Sequence, residues 1–219
     1  MKRVLYHGSD RLIKDPIYGY GNIHNDYGLG FYCCTNLGLV KEWASRKSGK
    51  GFVNKYKIRD DRLEILDLTK GDNNNILIWI ALLIKNRTIS SDIQKRYKKN
   101  IDFLLDNYLV DVSKYDVVIG YRADDAYFKF PESFISNDLT IESLNKIYKA
   151  GNLGKQYVLI SKRAFKLLKF VDFVETNEIA RESFYKRVID ADKEYDKYID
   201  IDSNASENKI EDLIKKYVK

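Results

Sequence analysis

The sequence predicts an α+β fold, and three observations predict it. Short β-branched or aromatic runs recur, as at residues 4–7, 115–120 and 156–160. Between them lie stretches whose apolar residues return every three or four positions, the helical period. The two kinds follow one another without the strand–helix–strand rhythm of a parallel sheet, which argues for an α+β fold.

Taken in order, Val4-Leu5-Tyr6-His7 is a short apolar strand that runs into a Gly8-Ser9 turn. Residues 10–28 hold Pro16, glycines and several Asn and Asp, which predicts a loop. Gly28-Leu29-Gly30-Phe31-Tyr32-Cys33-Cys34 is a strand entered through glycines. Thr35 is placed to cap a helix over 36–48, with Leu37, Val40 and Ala44 on one face and Gly49 as its stop. Strands are expected at 52–58 and, after the polar turn Asp60-Asp61-Arg62, at 63–68. Helical spacing covers 76–85 and 90–108, the second through Ile93, Tyr97, Ile101 and Leu104 or Leu105. Residues 115–120 form a β-branched strand. Thr140 caps a helix whose apolar face is Ile141, Leu144, Ile147 and Tyr148, with Gly151 as its stop. A strand at 156–160 leads to Ser161, which caps a short helix over 162–168. Beyond Val174 the composition shifts towards charge, with Tyr185, Val188 and Ile189 at helical spacing. A polar break at 202–206 precedes a last short helix. The expected organisation is one domain over 1–174 and a C-terminal helical extension over 175–219.

The apolar share of 44% and charged share of 32% are those of an ordinary globular chain. Its 17 Tyr and 10 Phe supply material for a core, and two prolines leave no proline-rich linker. Lys+Arg 38 against Asp+Glu 32 gives a net charge of +6. That excess fits either a solvated lysine-rich surface or a phosphate-rich partner, whether dinucleotide, nucleic acid or anionic surface. The two cysteines, Cys33 and Cys34, are adjacent and in a strand point to opposite faces, so they do not bridge each other. Neither a disulfide framework nor a cysteine zinc site is available, and a reducing, cytoplasmic setting is expected. The first residues lack the apolar run of a signal peptide. The most apolar stretch, 76–84, is too short to span a bilayer, so no membrane partner is expected.

Three segments carry candidate chemistry. Tyr6-His7-Gly8-Ser9 offers an imidazole, an unobstructed glycine backbone and a hydroxyl within one turn, a set able to grip a carboxamide and a ribose hydroxyl. Gly28-Leu29-Gly30-Phe31-Tyr32 places one aromatic on a strand, and Trp43 follows eleven residues later on the next helix. Two such rings either pack in a core or clamp a flat heterocycle. Leu153-Gly154-Lys155-Gln156 sets a polar amide at the mouth of the apolar strand Tyr157-Val158-Leu159-Ile160.

In this order the three segments resemble the diphtheria-toxin and poly(ADP-ribose) polymerase branch of the ADP-ribosyltransferases, described by a His-Tyr-Glu triad. The resemblance covers residues 4 to about 170. The whole chain is also similar to a bacterial family of diverged ADP-ribosyltransferase-like proteins, through Gly120-Tyr121-Arg122-Ala123-Asp124-Asp125 and Leu153-Gly154-Lys155-Gln156. The resemblance implies a split β-sheet core with surrounding helices, and NAD as substrate. It implies that His7 bonds a ribose hydroxyl and that the Gly8 backbone, assisted by Ser9, takes the nicotinamide carboxamide. Tyr32 and Trp43 would sandwich the nicotinamide ring, with Tyr6 and Gly30 lining the pocket. Gln156 stands where the branch has its glutamate. A glutamine bonds the ribose but supplies no charge to an oxocarbenium-like state, an electrostatic loss of roughly 3 kcal/mol or more. The acid pair Asp124-Asp125 is the nominated substitute, against the alternative of an ordinary charged turn. Glu132 is a weaker candidate, and Asp26, just before the Gly28-Leu29-Gly30 strand, could instead cap a turn.

Function follows as an expectation. The chain transfers ADP-ribose from NAD to a macromolecular acceptor, protein or nucleic acid, as an intracellular toxin or defence effector, with a neutralising protein as a possible partner. The alternatives are an NAD or ADP-ribose binding module without turnover and an NAD glycohydrolase.

Overall fold

The computed structural model of the chain describes residues 2–71, 73–123, 126–150 and 154–218. In chain order its elements begin with β1 (Lys2–Ser9), β2 (Phe31–Cys34), α1 (Leu37–Ser45), β3 (Phe52–Arg59) and β4 (Ile65–Asp67). Next come α2 (Asn73–Asn86), α3 (Ser91–Arg96), α4 (Lys98–Tyr108), β5 (Val117–Tyr121), α5 (Lys129–Ile135) and α6 (Ile141–Ala150). The chain closes with β6 (Lys155–Leu159), α7 (Lys162–Leu167), β7 (Lys169–Glu175), α8 (Glu178–Ser203) and α9 (Ile210–Tyr217). The fold is α+β, and these elements divide between two units that are each discontinuous in sequence. Met1–Asp67, Asp111–Arg122 and Leu153–Val188 form one, and Leu68–Val110, Ala123–Asn152 and Ile189–Lys219 the other.

The first unit holds one seven-stranded sheet in the order β4-β5-β6-β2-β1-β3-β7. Only β4 and β5 run parallel; every other pair is antiparallel. Strand periodicity sorts the side chains onto two faces. Leu5, Phe31, Cys33, Tyr56, Ile58, Val117, Ile119, Tyr157 and Leu159 share one face, closed by Ala164 and Leu168 around α7. On the opposite face Cys34 and Val53 pack with Val40 and Ala44 of α1, joined by Tyr6 and Leu37. That second face carries most of the candidate site.

The second unit is helical. In α2 Ile76, Leu77 and every residue from Trp79 to Leu83 are buried, so this helix is apolar all round, as a core helix must be. The Trp79 ring meets Tyr148 edge-on at 4.4 Å, and the Tyr148 hydroxyl donates to the Tyr127 carbonyl at 2.8 Å. Buried Asp202 accepts from the Thr140 amide at 2.7 Å and the Ser143 hydroxyl at 2.9 Å, which fixes the start of α6.

Several local expectations are corrected. Asn36, not Thr35, caps α1: its side chain accepts from the Leu39 amide, three residues on, at 3.2 Å. The helix expected over 90–108 is two helices, because Tyr97 leaves helical geometry at φ −114 and ψ 29. Sequence assigns no element to β7 or α5. In β7 the apolar residues come in pairs (Phe170-Val171, Phe173-Val174), so no alternation marks a face, and pairing with β3 through a register shift makes the strand. Thr140 and Ser161 cap as expected, each accepting from the amide three residues on. Gly151 lies outside the described residues. Among the described residues no helix is long and apolar enough to cross a membrane, and no group of three or more His, Cys, Asp or Glu is placed to hold a metal ion.

Candidate functional site

The sheet is weakest between β1 and β2. β1 pairs with β3 along its whole length, but meets β2 at one position, Tyr6 opposite Cys34. One further antiparallel step would set Gly8 opposite Tyr32. Instead the His7 imidazole enters the seam and its Nδ1 lies 2.7 Å from the Tyr32 carbonyl oxygen. A carbonyl can only accept, so Nδ1 carries the proton and the neutral ring keeps Nε2 as an acceptor. The ring is held against Phe31, centroids 4.3 Å apart and planes at 26°.

The same seam exposes backbone. Asn54 Nδ2 donates to the His7 carbonyl at 3.4 Å on the β3 side. Alternation along the strand then turns the amide and carbonyl of Gly8 towards β2, where the ladder has ended. Position 8 has to be glycine for a packing reason. An added Cβ would lie 2.8 Å from the Val40 carbonyl oxygen and 3.2 Å from the Ala44 amide, both backbone of α1.

Across four neighbouring strands Tyr6, Cys34, Gln156 and Gly120 stand opposite one another, so they share a face. Tyr32, two residues before Cys34, lies on that face as well. Over it the loop closes with Asp26, Tyr27 and Gly28, all buried. The Tyr32 hydroxyl donates to the Gly28 carbonyl at 2.6 Å and accepts from the Tyr27 amide at 3.0 Å. The Tyr27 ring fills the space left by Gly120, and its hydroxyl donates to the Tyr121 carbonyl at 2.7 Å. This anchoring brings Asp26, 4% exposed, to Gln156: Nε2 donates to Oδ2 at 3.3 Å. Gln156 Oε1 is buried and without a hydrogen-bond partner among the described residues.

Trp43 lies on α1, half-buried, with two guanidiniums on it. The Arg122 guanidinium carbon is 3.9 Å and that of Arg46 is 4.1 Å from its ring centroid. Two such groups at equal height would collide on one face, so they take opposite faces. Burial pushes the nearby Cys34 thiol up, and the Asn36 amide and the Arg122 charge draw it part of the way back.

The expected residues are thus partly assembled. The seam joins Tyr6, His7, Gly8 and Tyr32, and the shared face adds Gln156. No ring contact joins Tyr32 to Trp43 among the described residues; the Trp43 faces carry arginines. The Ser9 hydroxyl is engaged away from Gly8, donating to the Arg11 carbonyl and accepting from Asn54 Nδ2 at 3.0 Å. Gly30 immediately precedes β2. Asp124 and Asp125 lie outside the described residues. Glu132 belongs to the helical unit, where it accepts from the Ser90 amide at 3.1 Å. The loop contacts made by Asp26 and Tyr27 are additions to the expected site. Their one sequence signal is a carboxylate and an aromatic just before the Gly28-Leu29-Gly30 run.

Burial holds the His7 imidazolium below its ordinary range, against the opposing pull of the Tyr32 carbonyl. The ring is neutral in the folded state at pH 7. Below about pH 6.5 the unfolded chain binds a proton that the folded ring resists, so stability falls with pH there and is whole above it. Urea unfolding at pH 7.5 and pH 5.5 should show this loss in the wild type and a smaller one in His7→Gln. Equal losses in both proteins would remove the assignment of a neutral His7.

A family model described as Protein of unknown function (DUF3990) matches residues 3–170, a span that covers the site from Tyr6 to Gln156. No curated protein and no solved structure matches the chain.

Proposed function

The chain belongs to the DUF3990 family, and we propose that it binds NAD in the seam between β1 and β2 and transfers ADP-ribose from it. The sheet on this reading is of the ADP-ribosyltransferase type, split where Tyr6 and Cys34 make the last backbone contact. The observation that carries the proposal is that single join, with the His7 imidazole wedged beyond it. An opened ladder leaves an amide and a carbonyl of Gly8 side by side, which is what a primary carboxamide completes with its own oxygen and NH₂. His7 Nε2 accepts from a ribose hydroxyl, and Tyr32 forms one wall for the flat ring. Trp43 forms the other once Arg122 or Arg46 yields a face to the pyridinium, which is itself a planar cation.

The chemistry needs no oxidant. The bond between ribose C1′ and the nicotinamide nitrogen breaks, and its electron pair leaves with nicotinamide and cancels the pyridinium charge. A nucleophile of a protein or nucleic acid takes C1′ and gives up its proton. Water in that role makes the same site an NAD glycohydrolase. A toxin or defence role, with a neutralising protein partner, is part of this proposal.

The neutral amide of Gln156 favours a second reading, an NAD or ADP-ribose binding module without turnover. Calorimetric titration with NAD, together with nicotinamide release in the presence and absence of cell extract, separates the two. Binding with release is expected. Binding without release leaves the module, and absence of binding overturns both.

A further inference from the structure

We infer that Asp26 and Gln156 act as one unit that replaces a catalytic glutamate, Gln156 holding the ribose hydroxyl and Asp26 supplying the negative charge behind it; this rests on the NAD-binding reading above. The orientation of the amide is dictated by its neighbour. A carboxylate accepts, so Gln156 turns Nε2 to Asp26 Oδ2, 3.3 Å away, and Oε1 points away from Asp26. That oxygen is buried and has no partner among the described residues, a costly state that a ligand hydroxyl would relieve. Gln156 shares its face with Tyr32, two residues from its cross-strand partner Cys34, so the open acceptor lies beside the seam.

Three contacts show that Asp26 is placed there by construction. Tyr27, the next residue, gives its amide to the Tyr32 hydroxyl and its own hydroxyl to the Tyr121 carbonyl, and Tyr32 closes on Gly28. A turn cap would not require a residue 4% exposed whose carboxylate meets a side chain 130 residues away along the chain. Donation from the amide to the carboxylate shifts electron density towards Oε1 and strengthens it as an acceptor. In a water-poor site the Asp26 charge also favours the oxocarbenium-like state over neutral ground-state ribose. When the glycosidic bond breaks, the positive charge moves from the nicotinamide ring to C1′. The unit therefore acts on turnover more than on binding.

Asp26→Asn tests this, because Oδ1 of asparagine still accepts from Gln156 while the negative charge is removed. Nicotinamide release should fall at least about 30-fold in kcat with KM and the calorimetric Kd for NAD within about threefold of wild type. Adding Gln156→Glu to that variant returns a carboxylate to the site and should recover at least about tenfold of the loss. Wild-type kcat in Asp26→Asn, or no recovery in the double variant, overturns the unit while leaving NAD binding in place. If the wild type binds NAD but releases no nicotinamide, the unit is overturned and the binding module stands. If the wild type does not bind NAD, the reading beneath it fails. Should Asp26→Asn not fold, Gln156→Met, similar in volume and without the acceptor, carries the test. A kcat loss of the same size supports the unit, and wild-type kcat overturns it.

Discussion

Replacing Tyr32 by alanine is expected to weaken NAD binding at least about 100-fold, which corresponds to roughly 2.7 kcal/mol. Two losses add. The ring is one wall of the proposed slot, worth about 0.5–1.5 kcal/mol as an aromatic contact. Its hydroxyl also ties the Tyr27 amide and the Gly28 carbonyl, and leaving such groups unpaired costs about 1–3 kcal/mol. The second loss loosens the segment that delivers Asp26 to Gln156. Tyr32→Phe separates the two, since it keeps the wall and removes only the ties, and should show an intermediate Kd. Calorimetry with NAD on both variants is the measurement. Unchanged affinity in a folded Tyr32→Ala protein would remove the seam as the NAD site.

Gly120→Ala is expected to destabilise the fold by about 1–3 kcal/mol, a substantial share of the roughly 5–15 kcal/mol typical of a domain. The new Cβ would lie 1.9 Å from the Tyr27 hydroxyl oxygen, 2.6 Å from Cζ and 3.0 Å from Cε1. An aromatic ring cannot give way as a flexible side chain does. Tyr27 would have to leave a place in which it is 2% exposed and bonded to the Tyr121 carbonyl. The urea midpoint should drop, and Tyr27→Leu in the same chain should recover part of the loss, because leucine lacks the atoms nearest the new methyl. Strict additivity of the two changes would mean that the residues do not meet.

Much of the frame is local and therefore legible in the sequence. β-branched and aromatic runs marked β1, β2, β3, β5 and β6, and the 3.6-residue period marked α1, α2 and α6. Ser161 and Thr140 announced their helices because a capping oxygen serves an amide two or three residues away, here three. The strand β7 and the helix α5 were not legible, since neither has a periodicity of its own; β7 exists because β3 offers it a ladder.

For the site, the sequence by itself determined the chemical kit: His7, Gly8, Tyr32, Trp43 and Gln156, in that order along the chain. Only the tertiary structure decided how the kit is arranged. It placed His7 in a seam rather than on an open strand end, and set arginines on the faces of Trp43. It also brought the carboxylate of Asp26 to Gln156. The physical reason is separation. Propensity and capping act over a few residues, whereas the contact between Asp26 and Gln156 spans 130. It depends on the register of β2, β5 and β6 and on the space that Gly120 leaves for Tyr27, and no local pattern encodes either.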